Sequence, residues 1–153
     1  MLNEIPNPDK SDFGFSSFLD RIDAIIMGKN TFEMVVSFRE WPYPKPVFVL
    51  SNSLKKVPEG YEDKAEIMTG EINDILASLK NKGIETLYID GGKTIQSFLK
   101  QDLIDELIIT TVPIVLGSGI PLFSEMNPEI RFELIKTEIL NKILVKSKYK
   151  RKM

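Results

Sequence analysis

The chain has 153 residues, of which 42% are hydrophobic and 27% charged, and its formal net charge is −2. It contains neither cysteine nor histidine, which excludes disulfides, thiolate metal sites and any mechanism that needs an imidazole. The small net charge gives no bulk attraction to nucleic acid, and no apolar run approaches the length of a membrane-spanning helix. We therefore expect a single cytoplasmic domain over residues 1–153, without a metal site, whose chemistry uses carboxylates, hydroxyls, lysines or a bound cofactor.

The first two thirds of the chain alternate between short apolar runs and segments with helical periodicity. A polar, proline-containing loop is predicted over residues 3–10, and the apolar spacing from Phe15 to Ile22 predicts a helix after it. The elements predicted next are a strand at 24–27, a helix at 31–38, strands at 47–50 and 66–69, a helix at 72–79 that Gly83 ends, a strand at 86–89 and a helix reaching Lys100. Short apolar strands between helices indicate a mostly parallel sheet with helices on both faces.

The last third of the chain predicts strands without helices between them. A strand rich in β-branched residues is predicted at 107–112, and a hairpin at 131–140 and 143–150. Lys146, Lys148 and Lys150 alternate along the final strand and indicate a solvated face that protects a sheet edge. We therefore predict an α/β fold with a mostly parallel central sheet, flanking helices and a C-terminal antiparallel hairpin.

Three of the predicted strands end in motifs rich in glycine, hydroxyl and basic side chains. These motifs are Gly28-Lys29-Asn30-Thr31, Ser51-Asn52-Ser53 and Gly91-Gly92-Lys93-Thr94. In parallel sheets, ligands bind beyond the carboxyl ends of the strands, and a helix N-terminus offers free amides to a phosphate. A plain strand-to-helix turn with a capping residue explains the first motif equally well, whereas paired glycines in the last one permit close contact between main chain and ligand.

The known nucleotide-binding fingerprints do not fit these motifs. A Walker A loop needs a glycine five residues before the glycine-lysine pair, where Asp23 and Leu87 stand. The Gly117-Ser118-Gly119 segment lacks the third glycine of a dinucleotide fingerprint, since Leu122 occupies that position. Asp12 stands just before the first predicted helix, either as an exposed residue that the helix dipole favours or as a functional carboxylate.

Taken together, the strand-end motifs resemble the dihydrofolate reductase fold. They are most similar to the C-terminal reductase domain of the riboflavin-pathway bifunctional enzyme and to small bacterial relatives of it. The resemblance runs from about residue 10 to the end of the chain. The matching segments are Ile26-Met27-Gly28-Lys29-Asn30-Thr31-Phe32-Glu33, Val49-Leu50-Ser51, Ile89-Asp90-Gly91-Gly92, Phe98-Leu99, Glu106-Leu107-Ile108-Ile109-Thr110 and the run from Pro113 to Phe123.

The resemblance implies that NADPH binds across the strand ends. Lys29, Asn30 and Thr31 match family positions that reach the 2′-phosphate and the pyrophosphate, and Ser51 and Asn52 match the adenosine side. Gly91, Gly92, Lys93 and Thr94 match the second phosphate-binding helix start. Asp12 matches the substrate-binding carboxylate of dihydrofolate reductases, and Thr110 matches the threonine that is hydrogen-bonded to it.

The resemblance also implies what the chain does and where it departs from the family. We expect an NADPH-dependent reductase of a small heterocycle (a pterin, a folate-like molecule or a ribosylaminopyrimidine) that forms a homodimer. The alternative is a non-catalytic nucleotide-binding or dimer-forming relative of the same fold. An arginine for the glutamate tail of folate has no obvious counterpart. The family begins with a strand that this sequence does not contain, so we expect the first strand to be missing.

Overall fold

The computed structural model describes residues 7–8 and 11–153. Most of the loop predicted over residues 3–10, and the residues before it, lie outside the described residues, so the missing first strand stays a prediction. The chain divides into two compact units. Residues 16–97 form the parallel unit, and the described residues up to Phe15 together with residues 98–153 form the antiparallel unit. The prediction of a single domain is not tested by this division.

The parallel unit contains a four-stranded parallel sheet in the order β3-β2-β1-β4. Its elements in chain order are α1 (Phe15–Asp20), β1 (Ala24–Gly28), α2 (Lys29–Val36), β2 (Val47–Leu50), β3 (Ala65–Met68), α3 (Ile72–Asn81), β4 (Leu87–Asp90) and α4 (Gly92–Lys100). Of these, α1 begins at the last residue of the antiparallel unit, and α4 ends within that unit. Each element was predicted, with bounds that differ by at most two residues.

The core of the parallel unit is centred on β1. Ile25, Ile26 and Met27 are fully buried, because β1 has a strand on each side and its side chains alternate between two covered faces. On one face, Phe32 of α2 belongs to the same buried cluster as Ile25. This burial fixes the position of Gly28, the last residue of β1, and therefore of α2, which starts at the next residue.

The antiparallel unit contains a separate three-stranded sheet. Its strands β5 (Glu106–Thr111), β6 (Phe132–Leu140) and β7 (Leu144–Arg151) lie in the order β5-β7-β6. The hairpin is confirmed, with a connection of three residues, 141–143. Asn141 and Lys142 have left-handed φ angles of 52° and 60°, and the Ile143 amide donates to the Leu140 carbonyl at 3.0 Å, which closes a tight turn. The antiparallel pairing extends further than the hairpin, since β5 pairs along its whole length with β7.

Candidate functional site

The three strand-end motifs lie side by side at one edge of the parallel sheet. The pairing sets Gly28 of β1 opposite Leu50 of β2, and Met27 of β1 opposite Asp90 of β4. The residues that follow these strands therefore leave the sheet at the same level. The structure thus brings together the residues predicted to bind the cofactor, from Gly28 to Thr31, Ser51 to Asn52 and Gly91 to Thr94.

The N-termini of α2 and α4 meet through two reciprocal contacts between glycine and threonine. A Cβ atom added to Gly28 would lie 2.8 Å from the Thr94 hydroxyl, and one added to Gly91 would overlap the Thr31 hydroxyl. Gly91 also has a φ of +94°, which is unfavourable for any residue with a Cβ atom. Each helix start is therefore packed against the hydroxyl of the other, and a larger residue at either glycine would force the facing threonine to move. Free helix amides and two hydroxyls together form an environment that suits a phosphate or pyrophosphate.

The basic residues of these motifs lie at the surface around the helix starts. Lys29 forms an ion pair of 3.9 Å with Glu33 one turn later in α2, and both side chains are about half exposed. Such an exposed pair contributes little to stability, roughly 0.3–0.5 kcal/mol, so the Lys29 ammonium can exchange Glu33 for another anion at small cost. Asn30 and Lys93 are exposed to solvent.

The Ser51 hydroxyl shapes the turn that follows β2. The backbone amides of Ser53 and Leu54 donate to Ser51 Oγ at 3.2 and 2.9 Å. The hydroxyl of Thr69 donates to the Ser51 carbonyl at 2.8 Å and so joins the ends of β2 and β3. Ser51 therefore has a structural role in the turn, and the neighbouring Asn52 is exposed.

One carboxylate at this edge of the sheet has no predicted role. Asp90, the last residue of β4, accepts a hydrogen bond of 3.0 Å from the Tyr43 hydroxyl. Burial raises the pKa of Tyr88 and of Tyr43, and the Asp90 carboxylate raises both further. Both phenols therefore stay neutral donors beside Asp90. The sequence signal was a carboxylate directly before paired glycines at a strand end.

A depression of about 500 Å³ lies elsewhere in the parallel unit. Its lining includes Trp41, Lys45 and the residues that begin β2 and β3, Val47 and Ala65. It is therefore at the opposite edge of the sheet from Gly28 and Gly91. It is separate from the strand-end motifs, because none of their residues lines it.

The two predicted catalytic residues, Asp12 and Thr110, belong to the antiparallel unit. The Asp12 carboxylate accepts a hydrogen bond of 2.9 Å from the Gly14 amide, which closes a turn in which Phe13 has a left-handed φ of 58°. Lys146 Nζ donates to the Phe13 carbonyl at 2.8 Å. In the β5–β7 pairing, Lys146 lies directly opposite Thr110. A single lysine of β7 therefore bonds to the residue after Asp12 and pairs across the strands with Thr110.

The prediction that Lys146 forms part of a solvated lysine face is wrong. Lys146 is half-buried, and its ammonium lies close enough to Gly14 that an added Cβ there would be 2.8 Å from Nζ. A second bond, from the side-chain Nδ2 of Asn141 to Asn7 Oδ1 at 3.0 Å, joins the hairpin to the same N-terminal segment. The contacts are between residues more than 130 positions apart, so the alternating lysine pattern gave no indication of them.

Comparison with known proteins identifies the class. The family model "RibD C-terminal domain" matches residues 15–145, and the chain belongs to that family. The uncharacterized protein YwjB of Bacillus subtilis (strain 168) is 37% identical over 129 residues, which cover 82% of this chain and 72% of YwjB. A crystal structure from Shewanella sp. PV-4 with a provisional riboflavin biosynthesis name is 51% identical, with a TM-score of 0.97 over 99% of this chain and 86% of that one.

The fold is confirmed by a more distant structure. The dihydrofolate reductase of Enterococcus faecalis, solved with NADP(H), has a TM-score of 0.64 at 17% identity, covering 91% of this chain and 81% of that one. The chain therefore has the α/β fold of the dihydrofolate reductases and belongs to a family of reductase type. Within residues 7–8 and 11–153, no helix is both long and apolar enough to cross a membrane, and no group of three or more carboxylates could hold a metal ion.

Proposed function

We propose that the protein is an NADPH-dependent reductase that acts on a small heterocycle of the pterin, folate or ribosylaminopyrimidine type. The observation that carries the proposal is the pair of reciprocal glycine–threonine contacts between the starts of α2 and α4. Membership of a family of reductase type supports it, as does the dihydrofolate reductase fold. The riboflavin biosynthesis name of the Shewanella protein supports a pathway pyrimidine as the substrate class.

The donors at the strand ends fit a phosphorylated dinucleotide. The amides of the two helix starts, with the Thr31 and Thr94 hydroxyls, would hold the pyrophosphate. Lys29 would turn from Glu33 to the 2′-phosphate, with Asn30 beside it, and Lys93 would add charge at the second helix. Ser51 would keep the turn in which Asn52 meets the adenosine. NADPH, when bound, supplies the hydride, and the protein supplies position and charge.

The substrate is assigned to Asp12, with Thr110 as its hydrogen-bonding partner. The turn closed by the Gly14 amide and the bond from Lys146 to the Phe13 carbonyl give the Asp12 main chain a fixed conformation. In this proposal the Asp12 carboxylate accepts hydrogen bonds from ring N–H groups and assists protonation of the ring. Without histidine in the chain, a carboxylate is the natural side chain for that proton.

The cofactor assignment predicts a clear preference for NADPH over NADH. A charged hydrogen bond to the 2′-phosphate contributes about 1.5–3 kcal/mol, which is roughly tenfold or more in affinity. A thermal-shift titration of the wild type with both cofactors measures this preference. Lys29→Met should bring NADPH binding close to that of NADH, whereas Lys100→Met, at the exposed last residue of α4, should keep the preference. Equal shifts in the wild type would contradict the role of Lys29.

Oxidation of NADPH in the presence of pterins, folates and ribosylaminopyrimidines tests the activity itself. Turnover of one of them would establish the reductase and name its substrate. Stabilisation by NADPH without turnover of any would contradict the reductase and favour the non-catalytic nucleotide-binding relative. The homodimer and the cytoplasmic location stay predictions at this point.

A further inference from the structure

The segment between α2 and β2 contacts both edges of the parallel sheet. Its residues Trp41, Tyr43 and Lys45 line the depression of about 500 Å³ where β2 and β3 begin. The hydroxyl of Tyr43 reaches the other edge, where it donates to Asp90, the last residue of β4, at 3.0 Å. One side chain therefore borders the depression and also holds the carboxylate that precedes Gly91.

The part of the lining that this segment contributes is aromatic. The rings of Trp41 and Tyr43 form a T-shaped pair with centroids 5.6 Å apart, and Trp41 also packs against Tyr61 at 5.5 Å. The Lys64 ammonium lies 5.3 Å from the centroid of the Tyr61 ring, so one cation already packs on this aromatic cluster. Ring faces attract cations, and clusters of tryptophan and tyrosine commonly bind quaternary ammonium ligands.

The part of the lining that residues 62–66 contribute is acidic. Three carboxylates, those of Glu62, Asp63 and Glu66, line the depression there. Glu66 lies 3.9 Å from Lys82, which is outside the lining. Among the residues that the structure describes, neither a hydrogen bond nor an ion pair engages the Asp63 carboxylate, which is exposed to solvent. Asp63 can therefore pair with a cationic ligand without losing another partner.

The two lysines of the lining do not cancel this negative charge. Lys45 is close enough to Asp23, which is outside the lining, for their charges to interact. Apart from that pair and the pair of Glu66, the carboxylates of Glu62 and Asp63 face the ammonium of Lys64 alone. The lining thus keeps a negative charge beside its aromatic rings, which favours a cation over an anion or a neutral molecule.

We propose that the depression binds a small organic cation of the quaternary ammonium type, and that Tyr43 couples its binding to Asp90. The alkyl groups of the cation would lie against Trp41 and Tyr43, and its charge would be paired with Asp63. The volume of the depression is within the range of small-molecule sites.

The coupling follows from the two contacts of Tyr43. A ligand that packs against its ring displaces the hydroxyl, and a hydrogen bond weakens steeply as its distance and angle change. Asp90 directly precedes Gly91, which contacts Thr31 at the helix starts, so a change at Asp90 acts on the proposed cofactor site. The coupling rests on the proposed function, whereas the binding of the cation does not. Linkage requires that NADPH change the affinity for the cation by the same factor.

The fluorescence of Trp41 tests the cation site directly, because it is the single tryptophan of the chain. Tetramethylammonium chloride, titrated into the full chain against equal concentrations of sodium chloride, should give a saturable change. The neutral tert-butanol, of similar size, should bind at least about fivefold more weakly. Asp63→Asn should weaken binding of tetramethylammonium by about threefold or more, whereas Asp74→Asn, an exposed carboxylate of α3 outside the lining, should not change it. A response that does not saturate, or equal binding of tert-butanol, would overturn the site.

Calorimetric titration with NADPH, with and without saturating tetramethylammonium, tests the coupling. The wild-type affinity for NADPH should change by about threefold or more. Tyr43→Phe keeps the ring and removes the donor to Asp90, so it should bind tetramethylammonium as the wild type does and lose this change. Tyr149→Phe, in β7, should keep it. Unchanged NADPH affinity in the wild type would overturn the coupling. A wild type that binds no NADPH would contradict the proposed function and the coupling with it, while the fluorescence titration would still test the cation site.

Discussion

Isoleucine has opposite environments in the two units of this protein. Ile25 and Ile26 of β1 are fully buried, whereas Ile135 and Ile139 of β6 are more than half exposed. β1 is an inner strand of the parallel sheet, and β6 is one of the two outer strands of the antiparallel one. All four residues are in strands, so the covering of the strand's faces by other elements, and not the residue type, decides whether an apolar side chain is buried in a core or exposed.

The largest expected effect is on the core side of this comparison. Ile26→Ala should lower the free energy of unfolding by about 2–5 kcal/mol, because it removes buried methylene groups and leaves a cavity. Ile139→Ala should lower it by less than about 1 kcal/mol when measured at protein concentrations too low for association. Urea unfolding of both variants provides the measurement. Equal losses would mean that β6 is covered within the single chain.

The buried strands of the parallel unit are more predictable from the sequence than the exposure of β6. Short apolar runs between helices predicted β1 and β2 as buried strands, because strands covered on both faces are apolar throughout. The hairpin of β6 and β7 was predicted too, from its turn residues Asn141 and Lys142. The exposure of β6 was not predicted, since nothing in the local pattern tells an edge strand from an inner one.

The candidate site was predicted as far as its residues are local in sequence. Gly28 and Gly91 each end a strand, and their motifs were recognised, but the contacts with Thr94 and Thr31 depend on the pairing of β1 with β4. The Asp90 partner Tyr43 lies 47 residues earlier in the chain. Long-range contacts of this kind depend on tertiary packing, which helical or strand periodicity does not encode.

A second prediction concerns the function of the antiparallel unit. If Asp12 positions and protonates the substrate, Asp12→Asn should lower the turnover of NADPH by about a hundredfold or more while the stabilisation by NADPH is kept. Asp20→Asn, which neutralises an exposed carboxylate at the end of α1, should change neither. An unchanged rate in Asp12→Asn would mean that Asp12 is only an exposed residue before a helix and has no role in turnover.

The same prediction extends to Lys146, which we expect to act as a positioning residue for the segment that holds Asp12. Lys146→Met keeps most of the side-chain stem and removes the donor to the Phe13 carbonyl. We expect kcat to fall and NADPH binding to be unchanged, with partial rescue in Lys146→Arg, which keeps a donor at this place. A loss of stability without a change in kcat would mean that Lys146 only anchors the segment before α1.

A third, smaller effect tests the close packing of the helix starts in the parallel unit. Gly91 and Gly83 both have left-handed φ angles, 94° and 80°, but an added Cβ meets the Thr31 hydroxyl only at Gly91 and nothing within 4 Å at Gly83. Both alanine variants should lose about 1 kcal/mol from backbone strain alone. Gly91→Ala should in addition weaken NADPH binding by about tenfold, because Thr31 must move. Thermal-shift titration compares the two variants directly. Equal NADPH binding by both would mean that the contact between Gly91 and Thr31 does not contribute to the cofactor site.

The smallest expected effect is on stability in acid, where one carboxylate of each unit, Asp23 and Asp102, can be compared. The amides of Glu85 and Thr86 both donate to Asp23 Oδ2 at 2.9 Å, which joins the start of β1 to the start of β4. These bonds, that of Thr86 first, lower the pKa of Asp23 below its ordinary value. In the antiparallel unit, hydrogen bonds from Arg151 lower the pKa of Asp102 in the same direction.

A carboxylate whose pKa is lower in the folded than in the unfolded chain stabilises the fold at pH values above its ordinary pKa of about 3.9. This stabilisation is lost as the pH falls through the lower pKa of the folded chain. Asp23→Asn and Asp102→Asn should therefore each be less stable than the wild type near neutral pH. Each difference should shrink as the pH falls below about 3.9. Urea unfolding between about pH 3 and pH 7 measures these differences, with Glu59→Gln as a control that changes the charge by the same amount on an exposed loop.

A difference for Asp23→Asn that stays constant to the lowest pH would mean that the two amides bond equally well to a neutral oxygen. Arg151 keeps its charge throughout this range, so the difference for Asp102→Asn should still diminish in that case, because it depends on the ionised pair.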